Sequence, residues 1–229
     1  MSARVLILRP EPGASETAAR ARAMGLEPVV TPLFRIRPVA WEVPEARRYD
    51  AILFTSANGP RLAGDGLQAL TGLIAYAVGE ATAAAARAAG FGEVRTGPSD
   101  GATLLALAAE QGVRRALHLC GRDHIPLRHP QVAVDQCVVY ASDATADPLD
   151  VLPGAVVLLH SARAAALFGE RVQDRGAVRI AAISPAVAEA AGQGWAAVTV
   201  AAQPRDEALL EVARALCQSE GPDAAGAGS

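Results

Sequence analysis

The chain has 229 residues, carries a formal net charge of −3, and is 51% hydrophobic but only 4% aromatic. Without excess positive charge or a basic run it is not expected to bind nucleic acid. All 21 basic residues are arginine, which removes the P-loop, lysine Schiff-base, pyridoxal-phosphate and phosphoacceptor chemistries that need a lysine amine.

The opening "MSARVLILRP" has an apolar stretch too short for a signal peptide, and no apolar run of about 18 residues follows. A cytoplasmic protein without membrane contact is expected. "RVLIL" (4–8) predicts the first strand, within a strand–helix–strand piece over 4–34. Further apolar runs follow: "YDAILFT" (49–55), "LIAYAV" (73–78), "RALHL" (115–119), "AVVLLH" (155–160) and "RIAAI" (179–183). Each is apolar throughout rather than alternating, as strands covered on both faces are. Ala-rich segments of helical length separate them, which predicts βαβ units and parallel sheets. The three cysteines, Cys120, Cys137 and Cys217, lack C-x-x-C spacing and read as reduced, buried thiols.

Displacing the sequence by 105 residues brings Ser56 onto Ser161, Ala57 onto Ala162, Val78 onto Ile183, Gly79 onto Ser184 and Ala83 onto Ala188. After a one-residue slip "GFGEV" (90–94) lies on "GWAAV" (194–198), and after one more offset "GPSDGATLLALA" lies on "QPRDEALLEVA". Residues 54–110 and 159–216 thus read as two copies of one α/β unit. Between them, 115–141 supplies a strand, an irregular piece from His124 to Pro130, and the strand "VAVDQCVVYA". The fold expected is α/β, with two doubly wound parallel-sheet domains joined by a two-stranded β linker. Domain one is discontinuous, 1–34 plus 142–218, and domain two is inserted as 39–138. Linker strands fall at 35–38 and 138–141, and the Gly/Ala-rich tail 219–229 is expected to be disordered.

Ligands of doubly wound sheets sit outside the carboxyl ends of the strands, beside helix N-termini. Ser56, Thr82, Ser161 and Ser184 all fall just after predicted strands. Each taken singly reads as a helix cap. As a set, on two facing edges, they read as a cleft lined by hydroxyls and amides. Arg9 and Arg122 follow strands of their own, Arg163 follows Ser161, and Asn58 lies one turn into the helix after Ser56. Guanidinium groups there suit a ligand with several carboxylates or phosphates. His160 is the only histidine in register with the repeat, opposite Thr55, but no acid lies nearby in sequence to orient it. His118, His124 and His129 lack metal-ligand spacing, and all four histidines read as satisfied or solvent-facing. No G-x-S-x-G elbow makes Ser56 or Ser161 a nucleophile, and "GDG" (64–66) lacks the third glycine of a dinucleotide loop. A cofactor-free, metal-free binding cleft with few strong acid–base groups remains.

In order and spacing, "LRP" near the start, "FTSANG" (54–59), "VGEATA" (78–83), "CGRD" (120–123), "VVYAS" (138–142) and "AISPAVAEA" (182–190) resemble the uroporphyrinogen-III synthase family. The resemblance covers essentially the whole chain before residue 218. It implies two flavodoxin-like domains on a two-stranded linker, and a cofactor-independent lyase of porphyrin (haem) biosynthesis. The implied substrate is hydroxymethylbilane, a linear tetrapyrrole with eight carboxylates, closed with loss of water and inversion of ring D. Tyr140 is similar to the family tyrosine proposed to assist departure of the hydroxyl; an aromatic packing the linker is the other reading. The resemblance also implies substrate contacts for Ser56, Asn58, Thr82 and Ser161, with Arg9 a carboxylate contact. The chain departs from the family where Val187 replaces the threonine of Gly-Pro-x-Thr-Ala; Ser184 places a hydroxyl nearby. Pro60 also stands where an apolar residue is usual. A non-enzymatic sensor or regulator binding an anionic small molecule is the alternative. A monomer is expected.

Overall fold

Short uninterrupted runs of valine, leucine, isoleucine and alanine make the central strands, because side chains on both faces of each strand are covered. A computed structural model describes residues 4–97, 100–151 and 153–219. The chain forms two compact units: Met1–Arg35 with Ala144–Ser229, and Ile36–Asp143. The tail expected at 219–229 lies outside the described residues from position 220 on.

In the first unit the strands are β1 (Arg4–Ile7), β2 (Glu27–Val30), β9 (Val156–Leu159), β10 (Arg179–Ala182) and β11 (Ala197–Val200), all parallel, in the order β11-β10-β9-β1-β2. In chain order that is 2-1-3-4-5, the flavodoxin-like arrangement. Helices α1 (Gly13–Ala23) and α7 (Asp206–Gln218) cover one face, packing Ala14, Ala18, Leu209 and Ala213 on Val5, Ile7, Val156 and Leu158. Helices α5 (Ala162–Arg171) and α6 (Pro185–Ala191) cover the other, where Phe168 and Val187 meet Leu6, Val157, Leu159 and Ile180. The odd and even residues of each strand thus feed separate cores. Alanine on the helix faces permits close approach at no side-chain entropy cost.

The second unit contains β4 (Ala51–Phe54), β5 (Ile74–Val78), β6 (Val94–Gly97), β7 (Arg115–Gly121) and β8 (Ala133–Ala144). Strand β3 (Phe34–Pro38), which carries the Arg35/Ile36 division, lies beside β8, giving the order β3-β8-β7-β4-β5-β6. The amide of Val39 donates to the Val139 carbonyl at 2.9 Å. Helices α2 (Asn58–Leu62) and α3 (Gly79–Ala88) lie on the face of Ile52, Phe54, Leu117 and Leu119. Helix α4 (Gly101–Glu110) lies on the face of Ala51, Leu53, Tyr76 and Ala116. It is capped by Asp100, whose carboxylate accepts from the Thr103 amide at 2.8 Å.

Leaving β3 aside, β6-β5-β4-β7-β8 repeats β11-β10-β9-β1-β2 position by position. The point at which the chain enters differs: the piece equivalent to β1 and β2 comes first in one unit and last in the other. The α1 helix that joins β1 to β2 has no counterpart at 122–132, where β7 reaches β8 through an irregular segment with one isolated bridge, His129 to Val132. The paired turns Gly79 and Ser184 also differ. Gly79 has φ +71°, a left-handed conformation that glycine adopts without strain, whereas Ser184 is extended.

Candidate functional site

All strands of the first unit's sheet run the same way, so their carboxyl ends share one edge. Strands β1 and β9 are neighbours there, but the chain leaves them in opposite directions, to β2 and to β10. Such a switch point opens a crevice between the two departing connections. Arg9 follows β1, while His160 and Ser161 follow β9. Ser161 caps α5 by accepting from the Ala164 amide at 3.2 Å. Ser184 occupies the cap position of α6 with Pro185 at its first turn and no side-chain cap bond. The Arg163 guanidinium lies 4.4 Å from the centre of the Phe34 ring, so it packs on an aromatic face.

The same edge holds a polar cluster built around Asp206, the first residue of α7. Its carboxylate accepts from Thr17 Oγ1 at 2.9 and 3.0 Å, from an Arg20 guanidinium nitrogen at 2.7 Å, and from His160 Nε2 at 2.8 Å. Arg9 stands 3.7 Å away and donates to Thr17 Oγ1 at 3.3 Å. The Asp206 and His160 side chains are only 10% and 8% exposed. Burial alone would raise the Asp206 carboxyl, but bonds from His160, Arg20 and Thr17 outweigh it and hold the group at about 2. Because the carboxylate is ionised and can only accept, His160 Nε2 is the donor in this bond. Its Nδ1 is buried without a hydrogen-bond partner. No acid near His160 in sequence orients it; Asp206, 46 residues away, does so in the fold.

In the second unit the switch point lies between β4 and β7. Ser56 follows β4, and its Oγ accepts from the Asn58 amide at 3.3 Å. Asn58 is the first residue of α2, not a turn further in, because the helix spans only Asn58–Leu62. Thr82 lies in the first turn of α3 and is buried. Arg122 follows β7; its amide donates to the Tyr140 carbonyl at 2.9 Å and its guanidinium to Asp143 at 3.0 Å. Arg37 pairs with the same carboxylate. Bonds from Arg37 and then Arg122 lower the Asp143 carboxyl. Tyr140, half-buried on β8, is packed against the backbone of Gly121. A methyl at Gly121 would stand 2.6–3.0 Å from the ring and hydroxyl.

A second histidine departs from the satisfied class. His118 is fully buried on β7, with Nε2 3.0 Å from Thr55 Oγ1 and Nδ1 unpartnered. Burial, with a smaller contribution from His124, lowers it to about 4, so the ring is neutral near pH 7. His124 and His129 are hydrogen-bonded as expected, His124 to Gly121 and Gln136, and His129 from the Gln131 amide. Of the cysteines, Cys120 is buried and raised to about 11, mainly by burial, while Cys137 and Cys217 are half-buried; all three are free thiols. No group of three His, Cys, Asp or Glu side chains among the described residues stands close enough to hold a metal ion. No helix among them is long and apolar enough to cross a membrane.

The structure thus brings Arg9, Ser161 and Ser184 to one strand-end edge, and Ser56, Asn58, Thr82, Arg122 and Tyr140 to the corresponding edge of the other unit. The family model for uroporphyrinogen-III synthase HemD matches residues 15–211. The chain belongs to the uroporphyrinogen-III synthase family.

Its fold is similar to that of uroporphyrinogen-III synthetase from Helicobacter pylori, with a TM-score of 0.69 and 19% identity over 94% of this chain and 100% of that one. It is also similar to a mutant uroporphyrinogen III synthase from the extremely thermophilic bacterium Thermus thermophilus, with a TM-score of 0.54 and 20% identity over 96% of this chain and 100% of that one. No curated protein matches the sequence. Val187, at the position where the resemblance expects a threonine, is buried against Leu159, Ile180 and their neighbours. A methyl there extends the core at the position where the resemblance expects a hydroxyl.

Proposed function

We propose that this protein cyclises hydroxymethylbilane to uroporphyrinogen III, inverting ring D and releasing one water. The observation that carries the proposal is the family match over 15–211, on a fold whose strand-end edges hold the polar groups this task needs. The carbon–oxygen bond of the terminal hydroxymethyl group breaks, and the hydroxyl departs as water to leave an azafulvene. The substituted carbon of the far ring attacks it, giving a spiro intermediate that fragments and recloses with ring D turned over. The unaided bilane closes without inversion, so the protein's work is to hold one folded geometry rather than to supply strong acids or bases.

The candidate substrate contacts are Ser56, Asn58, Thr82 and Arg122 in the second unit, and Arg9, Ser161 and Ser184 in the first. Arg122 already shares Asp143 with Arg37, so it has less free charge to offer than Arg9. Tyr140 assists the leaving hydroxyl by a hydrogen bond from its phenol. A phenol titrates near 10, so donation of a hydrogen bond is the easier role than full proton transfer.

Consumption of freshly prepared hydroxymethylbilane tests the activity. Catalytic protein accelerates its disappearance well above the spontaneous rate, whereas a rate equal to that of buffer would refute the proposal.

A further inference from the structure

Arg9 is held at Nη1 and over its guanidinium plane. Thr17 accepts from Nη1, and Asp206 lies 3.7 Å from the same nitrogen. Gly13, at the start of α1, lies against the rest of the guanidinium. A methyl on Gly13 would stand 2.5, 2.6 and 2.6 Å from Nε, Cζ and Nη2. Near-equal distances to three atoms of one plane place that methyl above the guanidinium plane, on its Nε–Nη2 side. Any side chain at position 13 would therefore displace the guanidinium from this seat, whereas glycine leaves it in place. The Nε–Nη2 edge donates to no described residue, and the side chain is one-third exposed.

Asp206 is shared among Arg20, Thr17 and His160 at 2.7–3.0 Å, and Arg20 also faces Glu207 at 3.5 Å. The more distant Arg9 is oriented by this carboxylate but not neutralised through its outer edge. A planar guanidinium with one edge fixed and the other free suits a carboxylate received bidentately. Its position beside the β1/β9 switch point is where an open α/β sheet receives ligands.

We propose that Asp206 is a positioning residue that fixes Arg9, over the bare backbone of Gly13, as the receptor for one carboxylate of the tetrapyrrole substrate. The inference rests on the synthase reading above and names the part of the first unit's edge that sets substrate affinity. Asp206 touches no substrate and acts only through Arg9. Preorganisation of this kind lowers KM by sparing the cost of ordering a long side chain on binding.

The test is a double-mutant cycle in the full-length protein. Gly13→Ala and Asp206→Asn are each expected to raise KM for hydroxymethylbilane by about tenfold with kcat within about twofold, as loss of uniform binding does. In an Arg9→Ala background neither is expected to raise KM further. Gly13→Ala leaves every charge in place, so it answers even where Asp206→Asn folds poorly. Equilibrium binding of uroporphyrin, an oxidised octacarboxylate macrocycle, is measured on the same variants by fluorescence. An unchanged KM and binding constant in Gly13→Ala, or losses that persist undiminished without Arg9, would overturn the assignment. Failure of the wild type to consume the bilane would instead count against the synthase reading, and the porphyrin-binding cycle would still report whether Asp206 acts through Arg9.

Discussion

At residue scale, acid should find Asp206 and His118 first, for different reasons. Asp206 is held at about 2 against an ordinary value of 3.8. A depressed carboxyl contributes stability above its unfolded value and loses it as pH falls through the native value. Asp206→Asn is expected to cost about 2–3 kcal/mol at pH 7, since removing one partner strands the others. It should also flatten the loss of stability between pH 4 and 2; denaturant melts across that range check both. His118 is held at about 4 against 6.5, so the folded form binds fewer protons than the unfolded chain through that interval. Stability contributed by the neutral ring is complete above 6.5 and is lost as pH falls towards 4. His118→Gln, which can still donate to Thr55, should remove this slope, on the order of 3 kcal/mol in total; an unchanged slope would place the acid sensitivity elsewhere. Neither residue was legible as a special position. Asp206 meets Thr17 across 189 residues and His160 across 46, and the repeat set it against Asp100, which is a plain helix cap. Burial of His118 followed from its place in "RALHL", but its unpaired nitrogen depends on neighbours that only the folded sheet supplies.

Among elements, the strands with buried faces were readable because their apolar runs are unbroken. The edge strands β6 and β11 were not, since "VRTG" and "AVTV" are partly exposed and lack such a run. Helix α2 ends at Leu62, just before Gly64, whose left-handed φ of +69° breaks the helical path. The helix faces that pack best give the clearest stability test. Phe168 of α5 is fully buried and stacks on Trp195 at 5.3 Å, so Phe168→Ala should cost about 3–5 kcal/mol in denaturant unfolding. A loss below about 1 kcal/mol would mean that α5 is not seated as described. At the end of β7, Gly121 supports the Tyr140 ring at van der Waals distance. Gly121→Ala must shift that ring and, like Tyr140→Phe, is expected to lower kcat by about tenfold, while the melting temperature stays close to wild type. Full activity in both variants would return Tyr140 to a packing role.

For the whole molecule, the duplication was the most legible feature because it is kept in strand register as well as in sequence. Ala51 pairs with Ile74, and 105 residues later Val156 pairs with Arg179. Val94 pairs with Ala75 and Val198 with Ile180, which is the one-residue slip seen in the sequence. The different entry point of the chain in the two units was inferable from the discontinuous domain. The loss of a helix at 122–132 showed only as irregular sequence. Which side chains receive which carboxylate was not readable, because two repeats of one scaffold carry unlike residues at matching places: Thr55 and His160, Thr82 and Val187. With no lysine and no clustered metal donors among the described residues, turnover is expected to be unaffected by chelators; inhibition reversed by added metal would contradict that. The central claim is that the folded chain dictates how the bilane closes, and the isomer composition of the product measures it most directly. Incubation with fresh hydroxymethylbilane, oxidation and chromatographic separation should yield predominantly the type III macrocycle. Type I product alone would contradict it.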